Sequence, residues 1–553
     1  MSDETFDYVI VGAGSAGCVL AERLTQSGEN TVLVLEYGGS DRSVFIRMPA
    51  ALSIPMNKAE YNWGYHTEPE PALGGRRLHT PRGKVLGGSS SINGMVFVRG
   101  NPRDFDRWEE EGARGWAYRH VLPYFRRAER RAEGADRYRG GEGRLQVRCG
   151  ALENPLHRVW LEAGRQAGYP ITTDINGFQQ EGVGRLDMSV GDGRRCSASR
   201  AYLHPAMGRR NLSVRTRARA TRIVFEGRRA VGVCYRRGGQ DYIARARCEV
   251  LVCCGSINSP QLLKLSGVGP GAELHALGIS LVQDLPGVGE NLQDHLEFYF
   301  QVACKEPVTL YSAMNPFSKA LIGARWLLFK DGIGASNQFE TGGFIRSGVG
   351  VPYADIQYHF LPVAVNYDGS QPLKEHGFQA HVGPMRSHSQ GWVRLASAEP
   401  QDAPRIFFNY MSRAEDWAQM RACVRLTREI FAQSAFDRYR GREIKPGEKV
   451  QSDAEIDAFI REHVQTAYHP SCTCKMGRTE DPLTVVDAEA RVRGVENLRV
   501  VDSSIMPSIT TGNLNAPTIM IAEKASDHIL GRSPLAESDA PFYGAPDWRT
   551  RQR

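Results

Sequence analysis

An apolar run from Phe6 to Val11 is broken by Gly12-Ala13-Gly14-Ser15-Ala16-Gly17, after which Val19, Leu20 and Leu24 return at helical spacing. Strand, glycine turn and helix is the order this pattern dictates. A second apolar strand, Thr31 to Leu35, closes with Glu36, about twenty residues past the turn, the distance at which a ribose-binding acid is placed in a β-α-β unit. Gly12 permits the tight turn, Gly14 lets a pyrophosphate approach the backbone, and Gly17 lets helix pack on strand. The helix N-terminus attracts the phosphate charge. Glu36 would accept hydrogen bonds from ribose hydroxyls and opposes a 2′-phosphate, which argues against NADP but leaves FAD and NAD open.

The chain has 553 residues, 41% apolar and 24% charged, more than one core usually organises, so one large composite fold or two intimate domains is expected. Its +7 charge comes from 69 basic and 62 acidic residues, with the arginines scattered (Arg194, Arg195, Arg209, Arg210, Arg236, Arg237). That scatter argues against a nucleic-acid stripe. Met1-Ser2-Asp3-Glu4 has the wrong charge for a secretory signal, and no apolar run is long enough to span a bilayer,. A cytoplasmic protein is expected, with a peripheral contact on the inner face of the cell membrane left open. Eleven cysteines without an export signal read as reduced thiols, and Cys472, Cys474 and His469 have the wrong spacing for a zinc knuckle, so no metal is expected.

Apolar residues recur every three or four positions from Trp116 to Glu129 and from Ala414 to Phe431, and Ser452-Asp453-Ala454-Glu455 has capping-box spacing,. Alternation in Ile356 to Phe360, Phe378 to Val382 and Val393 to Leu395 predicts strands of one antiparallel sheet,. The last stretch, 533–553, is rich in proline and charge without periodicity and reads as a tail laid on the surface,.

Two further segments are built of small residues and backbone amides: Arg82-Gly83-Lys84-Val85-Leu86-Gly87-Gly88-Ser89-Ser90-Ser91-Ile92-Asn93-Gly94, and Gly255 to Leu263 followed by Ser266-Gly267-Val268-Gly269. With the N-terminal glycine turn they resemble the signature motifs of the glucose-methanol-choline oxidoreductases, over nearly the whole chain. The resemblance implies an α/β fold (α+β overall) with a discontinuous Rossmann-like FAD-binding domain at 1–155, 195–300 and 480–532. An antiparallel-sheet substrate domain would take 156–194 and 301–479. It implies FAD contacts from Gly12, Gly14, Ser15, Gly17, Glu36, Arg82, Gly87, Gly88, Asn93, Ala220, Asp502 and Asn513. Ile92 stands where some relatives carry the histidine that bonds FAD covalently, so a non-covalent flavin is expected. Tyr37 and Cys472 replace small residues usual in the family.

The catalytic pair implied by the resemblance is His469, in Ala467-Tyr468-His469-Pro470, and Asn515, in Gly512-Asn513-Leu514-Asn515-Ala516-Pro517. Hydride loss from a carbinol carbon needs the hydroxyl proton removed, and an uncharged imidazole is suited to that near neutral pH. Pro517 reads as a helix start whose N-terminus would stabilise reduced flavin. Tyr61-Asn62-Trp63, Thr67 to Pro71, Gln357 to Pro362 and Lys374 to Phe378 are similar to the choline-oxidising branch. A quaternary ammonium calls for aromatic faces and a carboxylate: Trp63, Phe339, Phe360 and Tyr468 are the candidates, with Glu340 as counter-charge. The reaction implied is choline to betaine aldehyde, with possible onward oxidation to glycine betaine, and a quinone-like or other electron acceptor. An uncharged primary alcohol is the alternative substrate, and a flavin-binding lyase or scaffold the alternative outside redox chemistry.

Overall fold

The computed structural model describes residues 3–366 and 374–553; Met1 and Ser2 of the acidic start lie outside them. The opening pattern folds as its periodicity dictates: strand Asp3–Val11, helix Ser15–Thr25, strand Val32–Leu35. Both strands pair in parallel, and the first also lies parallel to Gln240–Val252, which pairs in parallel with Leu498–Val500. Leu212–Arg215 closes one edge. A meander of Ala218–Glu226, Arg229–Arg237 and Gln240–Val252 forms the other. Val9, Ile10, Val32, Leu33, Val250 and Leu251 have no exposed surface, as expected where a parallel sheet is covered on both faces.

The second sheet has eight strands. From one edge they run Arg440–Lys445, Leu296–Cys304, Gly377–Pro384, Ile356–Leu361, Thr341–Ile345, Gly182–Arg185 and Ile171–Thr172, and Gln465–Thr466 also pairs with Leu296–Cys304. Two of the expected strands are in it. The third is not: Trp392–Arg394 pairs instead with Arg405–Phe407 in a ribbon of its own, with Val393 N–H on the Gly289 carbonyl.

In Ile356–Leu361 the side-chain alternation decides what faces what. Ile356, Tyr358 and Phe360 enter a buried core with Trp160 and Phe431, leaving Gln357 and His359 on the opposite face. Ala414–Phe431 is helical to the residue, and Ser452 caps Asp453–His463 through both bonds of a capping box,. The 533–553 segment lies on the surface, bonded through Ser538 N to the Arg119 carbonyl and Tyr543 N to the Phe178 carbonyl.

Candidate active site

One cavity of about 320 Å³ takes its wall from both sheets. From the first sheet and its loops come Gly12, Gly14, Ser15, Glu36, Ala220 and Asp502; from the second come Glu297, His359 and His381, with Phe339 just before its strand Thr341–Ile345. The glycine cradle is sterically exact. A Cβ on Gly12 would lie 2.5 Å from the Cys253 carbonyl oxygen, one on Gly17 1.9 Å from that of Gly12, and one on Gly88 2.7 Å from Gly14 Cα. Gly17 and Gly87 do not line the cavity; they let its floor close, Gly87 at φ +87° with its N–H on the Ala13 carbonyl. Helix Ser15–Thr25 has no side-chain cap on its N-terminus, so the first-turn amides remain for an anion.

Glu36 accepts from Ala13 N at 3.0 Å and Gly38 N at 2.7 Å, and burial pushes its carboxyl up to about 7. Asp502 accepts from Gly255 N, Ser259 Oγ and Ser504 N, tying the start of helix Gly255–Leu265 to the strand Leu498–Val500. Asn93 lines the cavity with its amide oxygen on Arg195 Nη1 at 2.8 Å. Arg82 donates to the Tyr468 carbonyl at 2.5 Å. Tyr468 sits at φ +67° and Cys472 at φ +75°, so the loop bends on either side of His469-Pro470.

His469 is held at three atoms. Its N–H goes to Asp294 Oδ1 at 2.7 Å, its Nδ1 lies 3.0 Å from His295 Nδ1, and its Nε2 lies 3.1 Å from Asn513 Nδ2. The proton positions follow by elimination. His295 Nε2 is 3.1 Å from the Met385 carbonyl, which can only accept, so that nitrogen carries the proton. Burial holds the His295 pKa down to about 3, so the ring is neutral and its Nδ1 is a bare acceptor. The proton between the rings therefore belongs to His469 Nδ1, and Nε2 is left with its lone pair. Burial, with His295, His359 and Arg82 nearby, holds the His469 pKa well below the usual histidine value. The result is a neutral base of fixed tautomer aimed at an amide donor.

The amide is Asn513, not the Asn515 expected from the sequence. Asn513 Oδ1 accepts from Gln357 Nε2 at 3.1 Å, which turns Nδ2 to His469. Asn515 is the first residue of helix Asn515–Ile529; its Oδ1 accepts from Ser15 Oγ at 2.8 Å, joining that helix to the glycine turn.

Glu340 is likewise displaced from its expected place. It is buried beside Gly150, accepting from Ser336 Oγ at 2.7 Å and Leu152 N at 2.6 Å, and does not line the cavity. The carboxylate that lines it from the second sheet is Glu297, 3.1 Å from His381 Nδ1. Val365 N donates to Gln379 Oε1, so Gln379 Nε2 must donate to His381 Nε2 at 2.8 Å, and His381 Nδ1–H points at Glu297,. Phe339 stands edge-on to His359 and His381, at 5.7 and 5.5 Å between ring centroids. Phe360 is in the core, stacked on Trp160. Trp63 lines the cavity among other residues, stacked between Tyr37 and Tyr65 and under Arg219, so it groups with Glu36 and Ala220. Glu297 carried a usable signal: it alternates with buried Phe298, Phe300 and Val302, so a charged side chain had to face away from that core.

Among the described residues no cluster of His, Cys, Asp and Glu has metal-binding geometry, and no helix is long and apolar enough to cross a membrane.

Comparison with known proteins gives the same frame. Models of the N- and C-terminal parts of the GMC oxidoreductases match residues 6–297 and 387–522. The oxygen-dependent choline dehydrogenase of Brucella anthropi is 58% identical over 547 residues, covering 99% of this chain and all of that protein. Pyridoxine 4-oxidase from Mesorbium loti superimposes with a TM-score of 0.86 at 31% identity, over 95% of this chain and 99% of that one. An FAD-dependent oxidoreductase from Chaetomium thermophilum does so with 0.86 at 27%, over 95% and 99%. Matched in both halves and along its full length, the chain belongs to the GMC oxidoreductase family.

Proposed function

We propose that the chain oxidises choline to betaine aldehyde with non-covalently bound FAD. The observation that carries the reading is the meeting, in one cavity, of a neutral imidazole base, an amide donor and a buried carboxylate beside an aromatic ring. The 58% identity with an oxygen-dependent choline dehydrogenase supports the substrate. A buried carboxylate is unfavourable beside an uncharged alcohol and favourable beside a quaternary ammonium.

The cradle fits FAD: glycines where a Cβ would collide, an uncapped helix N-terminus for pyrophosphate, and Glu36 for ribose. Ile92, on the cavity wall, has no atom that could bond the flavin covalently. Bound FAD supplies the acceptor for hydride. His469 and Asn513 prepare the alcohol. A hydroxyl seated between them donates its proton to His469 Nε2 while its oxygen accepts from Asn513 Nδ2, so the developing alkoxide is held as it forms. Glu297 and the Phe339 ring fix the cationic end of choline, and the His381 proton keeps the carboxylate turned into the cavity. A quinone-like acceptor for the electrons, and onward oxidation of the aldehyde hydrate, belong to the same reading. The test is anaerobic mixing of FAD-loaded protein with choline: rapid bleaching of the flavin absorbance supports it, and bleaching only by a neutral alcohol overturns the substrate.

The two asparagines can be separated by experiment. Asn513→Ala is expected to slow flavin reduction by about a hundredfold, the usual cost of removing one donor to a developing oxyanion. Asn515→Ala leaves His469 and its partners in place and is expected to cost less than about tenfold. Rapid-mixing kinetics on both variants decides which amide serves the alcohol.

Glu36 gives a pH dependence. Its carboxyl is raised by burial, so without ligand it favours the fold when protonated, a contribution complete below the ordinary carboxyl range and lost as pH rises through about 7,. Ribose hydroxyls donate to the ionised form, so FAD affinity runs the other way. It is expected to tighten by about tenfold from pH 6 to pH 8, read from quenching of FAD fluorescence on titration, and to lose this slope in Glu36→Gln.

A further inference from the structure

Helix Pro316–Phe329 is apolar on its outer side. Phe317, Leu321, Ala324 and Leu328 recur at i, i+4, i+7 and i+11, one stripe of a helix. That stripe faces solvent, with Phe317 80%, Leu321 62% and Leu328 75% exposed, and Leu327 and Phe329 beside it are exposed as well. Of the fourteen residues only Trp326 is buried. The helix carries Lys319 and Arg325 and no acidic residue; Arg325 is paired with Asp331 just beyond its end. Folded proteins rarely leave so large an apolar patch without an occupant.

Trp326 pins the helix by donating to the Gly193 carbonyl at 2.6 Å. Gly193 is in the turn that leads into Arg194–Arg195, and behind that turn is a second cavity, of about 130 Å³. It shares no wall residue with the large one and is lined by Arg47, Arg194, Arg195, Arg200, Ser197 and His204, with Asp41 as its carboxylate. Asp41 is already engaged, 3.0 Å from His204 Nε2 and accepting from Ser199 Oγ at 2.6 Å. Arg200 is paired at 3.2 Å with Asp192.

Arg195 is the unusual member. The residue is 2% exposed, and its guanidinium bonds no carboxylate among the described residues. Nε donates to the Ile46 carbonyl, Nη1 to Ser90 and Asn93 oxygens, and buried Nη2 has no hydrogen-bond partner among the described residues. Burial alone holds its pKa down to about 9. A buried arginine fork with one arm unsatisfied, in a cavity lined by other arginines, has the chemistry of a phosphate site. Arg47 ends the short helix Val44–Arg47, whose Val44 and Phe45 are also exposed.

We propose that this face docks on an anionic phospholipid surface, the outer stripe of Pro316–Phe329 lying in the acyl boundary and the arginine cavity holding a lipid phosphate. Apolar side chains with basic neighbours are what an interfacial helix presents to such a surface. A second copy of the chain fits less well, because a two-fold contact would set the arginine cluster against itself. Leu52 and Met56, on the wall of the large cavity, lie in the segment directly after Val44–Arg47.

Flotation of the full-length protein with vesicles tests this, and it is read without turnover, so its failure leaves the choline reading standing. At least tenfold more protein is expected on phosphatidylglycerol than on phosphatidylcholine vesicles. Leu321→Ser with Leu328→Ser, and separately Arg47→Glu with Arg194→Glu, should each cut that binding at least tenfold. Their choline turnover in solution and thermal midpoints, expected to be unchanged, confirm that the variants fold. No preference for anionic vesicles, or binding that survives both pairs, overturns the proposal. So does a dimer in size-exclusion chromatography that the leucine pair dissociates, with no vesicle binding. Thermal stabilisation by inorganic phosphate in a protein that ignores vesicles would assign the cavity to a free anion and overturn the lipid.

Discussion

His469→Ala is expected to lower the rate of flavin reduction by choline by about a hundred- to ten-thousandfold, the range a positioned general base supplies. Binding of choline should change little, since the groups proposed to hold its cationic end, Glu297 and Phe339, are untouched. The loss belongs to a particular nitrogen. His295, fixed by the Met385 carbonyl, forces the His469 proton onto Nδ1 and leaves Nε2 bare. His295→Phe removes that constraint while keeping a buried ring, and then either tautomer of His469 becomes available. It should therefore slow reduction by less than His469→Ala and add nothing to it in the double variant, because both act through one lone pair. Rapid-mixing anaerobic reduction of the four proteins measures this directly. Equal, additive losses would mean that His295 acts on the reaction by some route other than His469.

What the sequence could reveal divides along the line between local and long-range order. The glycine turn, its helix and the acid ending the second strand are contiguous, and their geometry is set by residues within about one β-α-β unit; the cradle was legible for that reason. His469 was legible because a motif surrounds it. Its partner was misplaced by two positions, since Asn513 and Asn515 lie in one motif and only the onset of helix Asn515–Ile529 turns the second toward Ser15. Phe360 was misplaced by one, which in a strand exchanges the faces of the sheet: His359 has the cavity side. Glu340 and Glu297 differ by tertiary packing alone. Both are buried carboxylates: Glu340 packs against Gly150, where a Cβ would collide with it, and is held by Leu152 N, while Glu297 lines the cavity. Pairing across strands far apart in the chain is the information a single sequence lacks.

Glu297, the carboxylate that the second sheet gives the cavity wall, provides the sharper test of substrate. In Glu297→Gln the side chain keeps its size and can still meet His381, but the negative charge is gone. Losing one partner of a buried charge pair costs about 2–4 kcal/mol, so kcat/KM for choline should fall by roughly thirty- to a thousandfold. The neutral isostere 3,3-dimethylbutan-1-ol has the same shape without the cation. For it the same variant should be no worse, and better if the buried charge is a burden to an uncharged guest. The ratio of the two kcat/KM values thus isolates charge from shape, which neither substrate alone can do. Glu340→Gln is the matched control: its carboxylate bonds Ser336 and Leu152, so it should leave the ratio unchanged even where stability falls. A ratio moved by Glu340→Gln and not by Glu297→Gln would return the cation site to Glu340, just before the strand Thr341–Ile345, and a ratio moved by neither would mean that choline is recognised by aromatic faces alone.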